Sequence, residues 1–214
     1  MLRDRRGRVL LAERPAGKHL AGSWEFPGGK LQPGERRLAG LRRELEEELG
    51  IDGVGAHPLI RIAHRYPDRD VLLDVWAVTR YRGEPEGRDG QALRWCAVGA
   101  LEAAGLLPAD RPVVTALRLP PRIAATRTAR YRIDPWPGPR GVRLRGAACP
   151  DARAARRAAA GGADFLVLEA RLSPRSLRAL CDAVGIPVYA RGLALAQARA
   201  LGASGVNAIP RALD

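Results

Sequence analysis

The chain has 214 residues, enough to bury a core as one large domain or two small ones, and a formal net charge of +13 in which only Lys18 and Lys30 are lysines. Such a surface favours polyanions, a nucleoside triphosphate among them, but no segment interleaves basic and aromatic residues as a single-strand platform does, so no stable nucleic-acid partner is expected. No apolar run is long enough to span a bilayer, and Cys96, Cys149 and Cys181 stand far apart outside any CxxC pair, which together predict no membrane partner and a cytoplasmic protein with reduced thiols.

Residues 8–14 (RVLLAER) read as a strand preceded by the turn-like segment 4–7. A Gly- and Ala-rich loop over 15–23 carries Lys18 and His19 and leads into a short strand at 24–26, which ends on Pro27-Gly28-Gly29, where paired glycines let the backbone approach a ligand closely. Residues 29–51 then read as a loop followed by a helix. Pro33 and Gly34 are turn residues, Glu35 opens a run of good helix formers, and Gly50 stands at the usual terminating position. Leu38, Leu41, Leu45 and Leu49 recur at three- and four-residue steps as an apolar stripe. Glu44, Glu47 and Glu48 stand at i, i+3 and i+4 on another face. These carboxylates repel one another unless a cation sits among them, and oxygen ligands at this density suit magnesium or manganese; a solvated acidic helix is the bland alternative.

Gly29, Glu35, Arg43, Glu44, Leu45, Glu47, Glu48, Gly50 and Ile51 match G-x5-E-x7-R-E-U-x-E-E-x-G-U, with U aliphatic, at every position. The segment therefore resembles the Nudix signature, and the preceding Trp24-Glu25-Phe26-Pro27-Gly28 resembles the MutT branch of that family, the 8-oxo-dGTP diphosphatases. The resemblance implies an α/β/α sandwich. It implies that the Gly28 carbonyl and Glu44, Glu47 and Glu48 bind Mg2+ or Mn2+, that Glu44 or a later-loop carboxylate serves as base, and that Arg43 holds a neighbouring carboxylate in its productive rotamer. Asp89, in the loop 87–91, stands where the branch has a metal-binding glutamate, one methylene longer. Arg14 and Phe26 occupy nucleotide-contacting positions, and Asp110 aligns with the asparagine that reads the oxidised purine. An amide donates to O6 and accepts from N7–H together, whereas a carboxylate only accepts, so Asp110 puts 8-oxo-dGTP in question as the preferred substrate; a plain helix cap is its other role. MutT-like proteins carry an apolar strand before the turn at 4–7. Only Met1-Leu2-Arg3 precede it here, so either the sequence starts late or the sheet lacks its first strand and exposes an edge. His19, His57 and His64 are scattered and lack metal-ligand spacing.

Beyond the helix, strands are expected at 59–66 and 71–81, joined by 67–70, and at 92–98, with a short turn or helix at 101–105 and a helix over 111–119 capped by Asp110. Residues 1–120 form the expected Nudix domain and 121–140 a Pro- and Arg-rich linker whose Tyr131 and Trp136 dock on a domain. Over 141–214, strands at 141–146, 163–168, 186–189 and 205–209 alternate with helices at 151–160, 173–184 and 193–201, the grammar of a partial (βα) TIM-barrel-like unit. Residues 161–169 and 186–192 resemble the C-terminal half of thiamine-phosphate synthase and its TenI-like relatives. The phosphate-binding glycine pair of that family reads Arg191-Gly192-Leu193 here, which points to a non-catalytic packing or assembly module, with dimerisation through it one outcome. The expected function is metal-dependent cleavage of 8-oxo-dGTP or a related oxidised nucleotide to monophosphate and pyrophosphate, in nucleotide-pool sanitation and mutation avoidance. The alternatives are a Nudix hydrolase of another nucleoside diphosphate derivative and a catalytically impaired binding or regulatory protein, the latter on the strength of the missing first strand, Asp89, Asp110 and the half barrel.

Overall fold

The computed structural model describes residues 1–123 and 144–207. The chain divides into two compact units, one comprising Met1–His57 and Trp76–Arg111, the other Pro58–Val75 and Pro112–Asp214.

The first unit opens with β1 (Val9–Glu13), whose Val9-Leu10-Leu11-Ala12 run is buried on both faces, as suits a strand at the centre of its sheet. β2 (Trp24–Glu25) pairs antiparallel with it, Glu25 opposite Ala12. After α1 (Arg37–Leu49) come the long strands β3 (Asp52–Arg65) and β4 (Asp70–Arg82), and then β5 (Leu93–Cys96), which lies antiparallel on the other side of β1 with Val9 opposite Cys96. Residues 1–3 close the gap expected from a missing first strand. Leu2 bridges to Val78 and Arg3 to Val9, and Leu2 is fully buried. The Val78 N–H donates to Met1 O at 2.9 Å and the Leu10 N–H to Leu2 O at 3.2 Å. The expected exposed edge is thus corrected: two bridging residues occupy it, because a ladder contact needs only one residue on each side.

α1 starts at Arg37, later than the run of helix formers suggested. The Glu35 N–H instead donates to Gln32 O at 3.0 Å, closing a turn with Pro33 second and Gly34 third at φ +77°, the type II arrangement that calls for glycine there. Leu45 and Leu49 are fully buried against Leu2, Leu10, Ile51, Val54 and Val78, with Leu41 packed at the side and Leu38 half-buried. Gly50, at φ +70°, ends the helix and donates to Glu46 O at 3.0 Å. β3 begins at Asp52 rather than near 59. Ion pairs Arg82–Asp52 and Arg65–Asp70 mark the two ends of an antiparallel hairpin, while Gly53, Gly55 and Pro58 hide the strand periodicity.

The second unit contains the outer hairpin, Pro58–Val75, followed by α2 (Arg111–Arg118), which begins at the boundary, and β6 (Arg122–Ile123). Then follow β7 (Gly146–Cys149), α3 (Ala152–Ala160), β8 (Phe165–Leu168), α4 (Pro174–Val184), β9 (Val188–Arg191), α5 (Leu195–Ala200) and β10 (Gly205–Asn207). The strands form a parallel sheet in the order β6-β10-β9-β8-β7. β8 is buried on both faces: Phe165 and Val167 meet Leu119, Ile123 and Tyr189, and Leu166 and Leu168 meet Leu177, Leu180, Cys181 and Ala198. Cys149 and Cys181 are buried in that second cluster, and Cys96 is partly exposed. Arg61 of β3 ion-pairs with Asp182 of α4, and the Ser204 hydroxyl donates to Leu59 O at 3.1 Å.

Two expectations shift here. The strand placed at 141–146 lies at Gly146–Cys149, where Gly146 sits opposite Phe165 and a Cβ would overlap its ring. Arg122 and Ile123, taken as the start of the linker, pair with β10 instead. The rest of the linker, with Tyr131 and Trp136, lies outside the described residues, as do 141–143 and 208–214. The alternation of strands and helices is present as a five-stranded parallel sheet whose outermost strands, among the described residues, are β6 and β7.

Candidate active site

The cation among the α1 carboxylates is Arg43. Its Nε and Nη2 hold the two oxygens of Glu35 (3.0 and 3.1 Å), its Nη1 reaches Glu44 Oε1 (2.9 Å) and Glu47 Oε2 (2.8 Å), and Nη2 also donates to Lys30 O (3.0 Å). The planar fork meets its carboxylate in the bidentate geometry it favours. The Glu35 carboxyl is accordingly held below its usual range by Arg43, and the Gln32 N–H adds to the effect. Two of the three glutamates expected as ligands are therefore engaged by the guanidinium. Among the described residues, no three Asp, Glu, His or Cys side chains close into a metal-binding group.

Glu48 lies apart from that rosette. It is half-buried and accepts the Gly28 N–H at 3.3 Å. Burial pushes its carboxyl up to about 7; the Gly28 N–H opposes this, and the charges of Glu44 and Asp89 reinforce it. Glu44 reaches the same place because Gly29 has no side chain: a Cβ there would overlap the Glu44 carboxylate. Asp89 is brought in by the loop 86–91, which satisfies carbonyls at the C-terminal end of α1. The Glu86 N–H donates to Leu49 O (3.0 Å), the Arg88 N–H to Glu48 O (3.0 Å), and Arg88 Nη1 to Glu46 O (3.0 Å). The charges of Glu44 and Asp89 thus both bear on Glu48, and carboxylate oxygens are a donor chemistry that fits a hard divalent cation.

A second cluster gathers Arg14, Phe26 and Asp110. The Trp24 N–H donates to Gly105 O (3.0 Å) and the Leu107 N–H to Trp24 O (3.1 Å), so β2 draws the segment 105–107 alongside it. That pairing sets Asp110 beside Phe26, whose backbone N–H its carboxyl accepts. Arg94 reinforces the junction, with its guanidinium 3.9 Å from the Trp24 ring centroid and Nη2 2.6 Å from Ala104 O. Arg14 is held by the Glu25 carboxylate and by His19 O (2.8 Å). Asp110 is 6% exposed. Burial pushes its carboxyl up to about 7, the Glu25 charge adds to this, and the Met1 ammonium, the Phe26 N–H and Arg14 oppose it.

Sequence reasoning missed Glu25 as the partner of Arg14, Glu35 as the main anchor of Arg43, and Arg88 and Gln91 as the residues that fasten the Asp89 loop. Glu35 alone had a signal, since its place in the signature was fixed without a role attached. His19 and Lys18 lie near this region, Lys18 as a charge acting on Glu48.

A glycine turn laid over a carboxylate-bearing helix that packs on antiparallel strands fits a hydrolase of phosphoric anhydrides. Residues 1–116 match the family described as NUDIX domain, and the chain belongs to that family, whose hydrolases generally use divalent metal ions. It is similar to the 8-oxo-dGTP diphosphatase of Escherichia coli (strain K12), with 35% identity over 118 residues covering 55% of this chain and 92% of that protein. It is also similar to the CTP pyrophosphohydrolase of the same organism, at 38% over 113 residues, covering 53% and 84%. The 8-oxo-dGTP diphosphatase of Proteus vulgaris is 41% identical over 98 residues, covering 46% and 84%.

Proposed function

We propose that residues 1–120 form the catalytic domain of a nucleoside triphosphate diphosphatase that hydrolyses 8-oxo-dGTP, or a related oxidised nucleotide, to the monophosphate and pyrophosphate. The observation that carries this reading is that Glu48 accepts the Gly28 N–H while the Glu44 carboxylate lies against Gly29, with the charges of Glu44 and Asp89 both acting on Glu48. In this reading Glu44, Glu47, Glu48, Asp89 and the Gly28 carbonyl hold Mg2+, with Mn2+ as substitute. A divalent ion bound there neutralises the phosphate oxygens and lowers the pKa of bound water. Arg43 keeps Glu44 and Glu47 in fixed rotamers, and Glu44 accepts the proton of the attacking water. Water adds to phosphorus, the P–O–P bond breaks, and pyrophosphate leaves. Glu48→Gln is expected to lose nearly all release of pyrophosphate from 8-oxo-dGTP; wild-type turnover in that variant would sink the assignment.

The raised proton affinity of Asp110 answers the objection that a carboxylate cannot replace an amide. Near neutral pH a large share of Asp110 is the neutral acid, which offers one O–H donor beside one carbonyl acceptor, as an amide does. That form complements the O6 and N7–H of an oxidised purine, with Arg14 and Phe26 supplying a cation and a ring face. The ionised form only accepts and suits an exocyclic amine, so the same residue favours a second reading, a cytidine nucleotide, in keeping with one of the relatives. The two readings separate by pH: 8-oxo-dGTP is expected to be preferred over CTP below pH 7, and the preference to fall as pH rises. A ratio of the two kcat/KM values that stays flat from pH 6 to pH 8 would remove Asp110 from base recognition.

For residues 141–214 we favour a packing or assembly module resembling part of a thiamine-phosphate synthase, without its catalysis. Light scattering on the purified chain tests whether it pairs two copies, and a thiamine-phosphate synthesis assay tests for residual catalysis.

A further inference from the structure

Gln91 has no counterpart in the signature and belongs to no catalytic group, yet both ends of its side chain are committed. Its Nε2 donates to the backbone carbonyl of Glu48 at 3.2 Å, and its Oε1 accepts the backbone N–H of Asp89 at 2.9 Å. One amide thus ties the residue bearing one carboxylate to the residue bearing another, across 43 positions of sequence for the first bond and two for the second. The surrounding turn is built around it. A Cβ on Gly87 would overlap the Gln91 carbonyl and stand 3.0 Å from Oε1, and the Gly90 N–H closes the turn on Gly87 O at 3.1 Å. The neighbouring Arg88 holds the same carbonyl of Glu48 from its backbone and Glu46 O from its side chain, whereas the Gln91 side chain links the backbone of Asp89 directly to that of Glu48.

We infer that Gln91 is a positioning residue that fixes the Asp89 carboxylate against Glu48, and so tunes affinity for the divalent ion rather than the chemistry itself. This rests on the reading of Glu48 and Asp89 as parts of the metal site. A carboxylate on a short aspartate arm tolerates little error in backbone position, because it has one rotatable bond fewer than glutamate with which to correct it. Partners that orient ligands in this way are generally worth about 10- to 100-fold in metal affinity or activity.

The test is direct Mn2+ titration of the purified full chain by electron paramagnetic resonance, without nucleotide. Gln91→Met, which keeps the length and removes both hydrogen bonds, is compared with Asp89→Asn and with the double variant, and Gln91→Ala serves as the second variant should the methionine disturb folding; thermal melts verify the fold of each. Gln91→Met is expected to weaken Mn2+ binding about 10-fold. Asp89→Asn is expected to weaken it at least as much, and the double variant no further than Asp89→Asn alone, because the amide acts through Asp89. A Gln91→Met affinity within twofold of wild type, while Asp89→Asn loses it, overturns the inference and leaves the metal reading standing. Full additivity in the double variant also overturns it. An Asp89→Asn protein that binds Mn2+ normally overturns the metal role of Asp89 and this inference with it.

Discussion

Gly29 shows how one missing methyl group shapes a site. Its φ is not in the left-handed region, so alanine would be tolerated by the backbone; what excludes it is the Glu44 carboxylate lying where the Cβ would go. Gly29→Ala is therefore expected to melt like wild type and to lose about 100-fold in kcat, the usual scale for displacing a reacting group by about 1 Å. Asp110 carries the clearest pH signature. In the unfolded chain it gives up its proton near pH 4, whereas in the folded protein burial and Glu25 hold the proton up to about pH 7. The folded state binds more protons between those values, so this contribution to stability is fully present below about pH 4 and is lost as pH rises to 7. Asp110→Asn lacks the effect, and its urea midpoint is expected to rise relative to wild type from pH 4 to pH 8, by on the order of 2–4 kcal/mol in stability. Equal midpoint shifts for the two proteins across that range would show Asp110 to titrate normally. At this scale the sequence displayed which residues carry charge but not who their partners are: Arg43 was legible as a clamp, while its bidentate hold on Glu35, eight positions away, came from the turn at 32–35.

α1 is the best-read element of the chain, because its period and its terminating glycine are local signals. Leu45 and Leu49 are buried as the stripe implied, and Leu45→Ala is expected to cost about 2–5 kcal/mol in denaturant unfolding. Gly50→Ala combines an unfavourable left-handed backbone with a Cβ 2.7 Å from the Arg88 guanidinium. It is expected to destabilise the protein by about 1 kcal/mol or more and, unlike Leu45→Ala, to weaken Mn2+ binding by loosening the loop that bears Asp89. Strands were read less well. β3 starts on Asp52-Gly53 and carries Pro58 mid-strand, residues that argue against a strand in isolation, and its true length is set by pairing with β4 rather than by its own composition. The bridging role of Leu2 had no periodic signal at all, since three residues are too few to show a period.

Over the whole molecule the net charge of +13 acts on an anionic substrate before any contact is made. The KM for a nucleoside triphosphate is expected to rise several-fold between low salt and about 0.5 M KCl, with kcat nearly unchanged, because added salt shortens the range of the field from roughly 10 Å to a few ångströms. A salt-independent KM would show the arginines to be too dispersed to matter. The alternation of strands and helices beyond residue 140 was legible as a rhythm, and the parallel order of neighbouring strands agrees with it; which residues open that sheet was not, because the place of Gly146 depends on a ring nineteen positions later. The fastening of α1 by the loop 86–91 has a further consequence during synthesis. The helix leaves the ribosome with the carbonyls of Glu48 and Leu49 exposed to water, and their partners are translated about 40 residues later, a delay of roughly 2–8 s at ordinary elongation rates. β1 waits still longer for β5. A nascent chain stalled before residue 86 therefore carries a frayed helix end and a β1 paired on one side only, the condition in which a chaperone or a protease would find it.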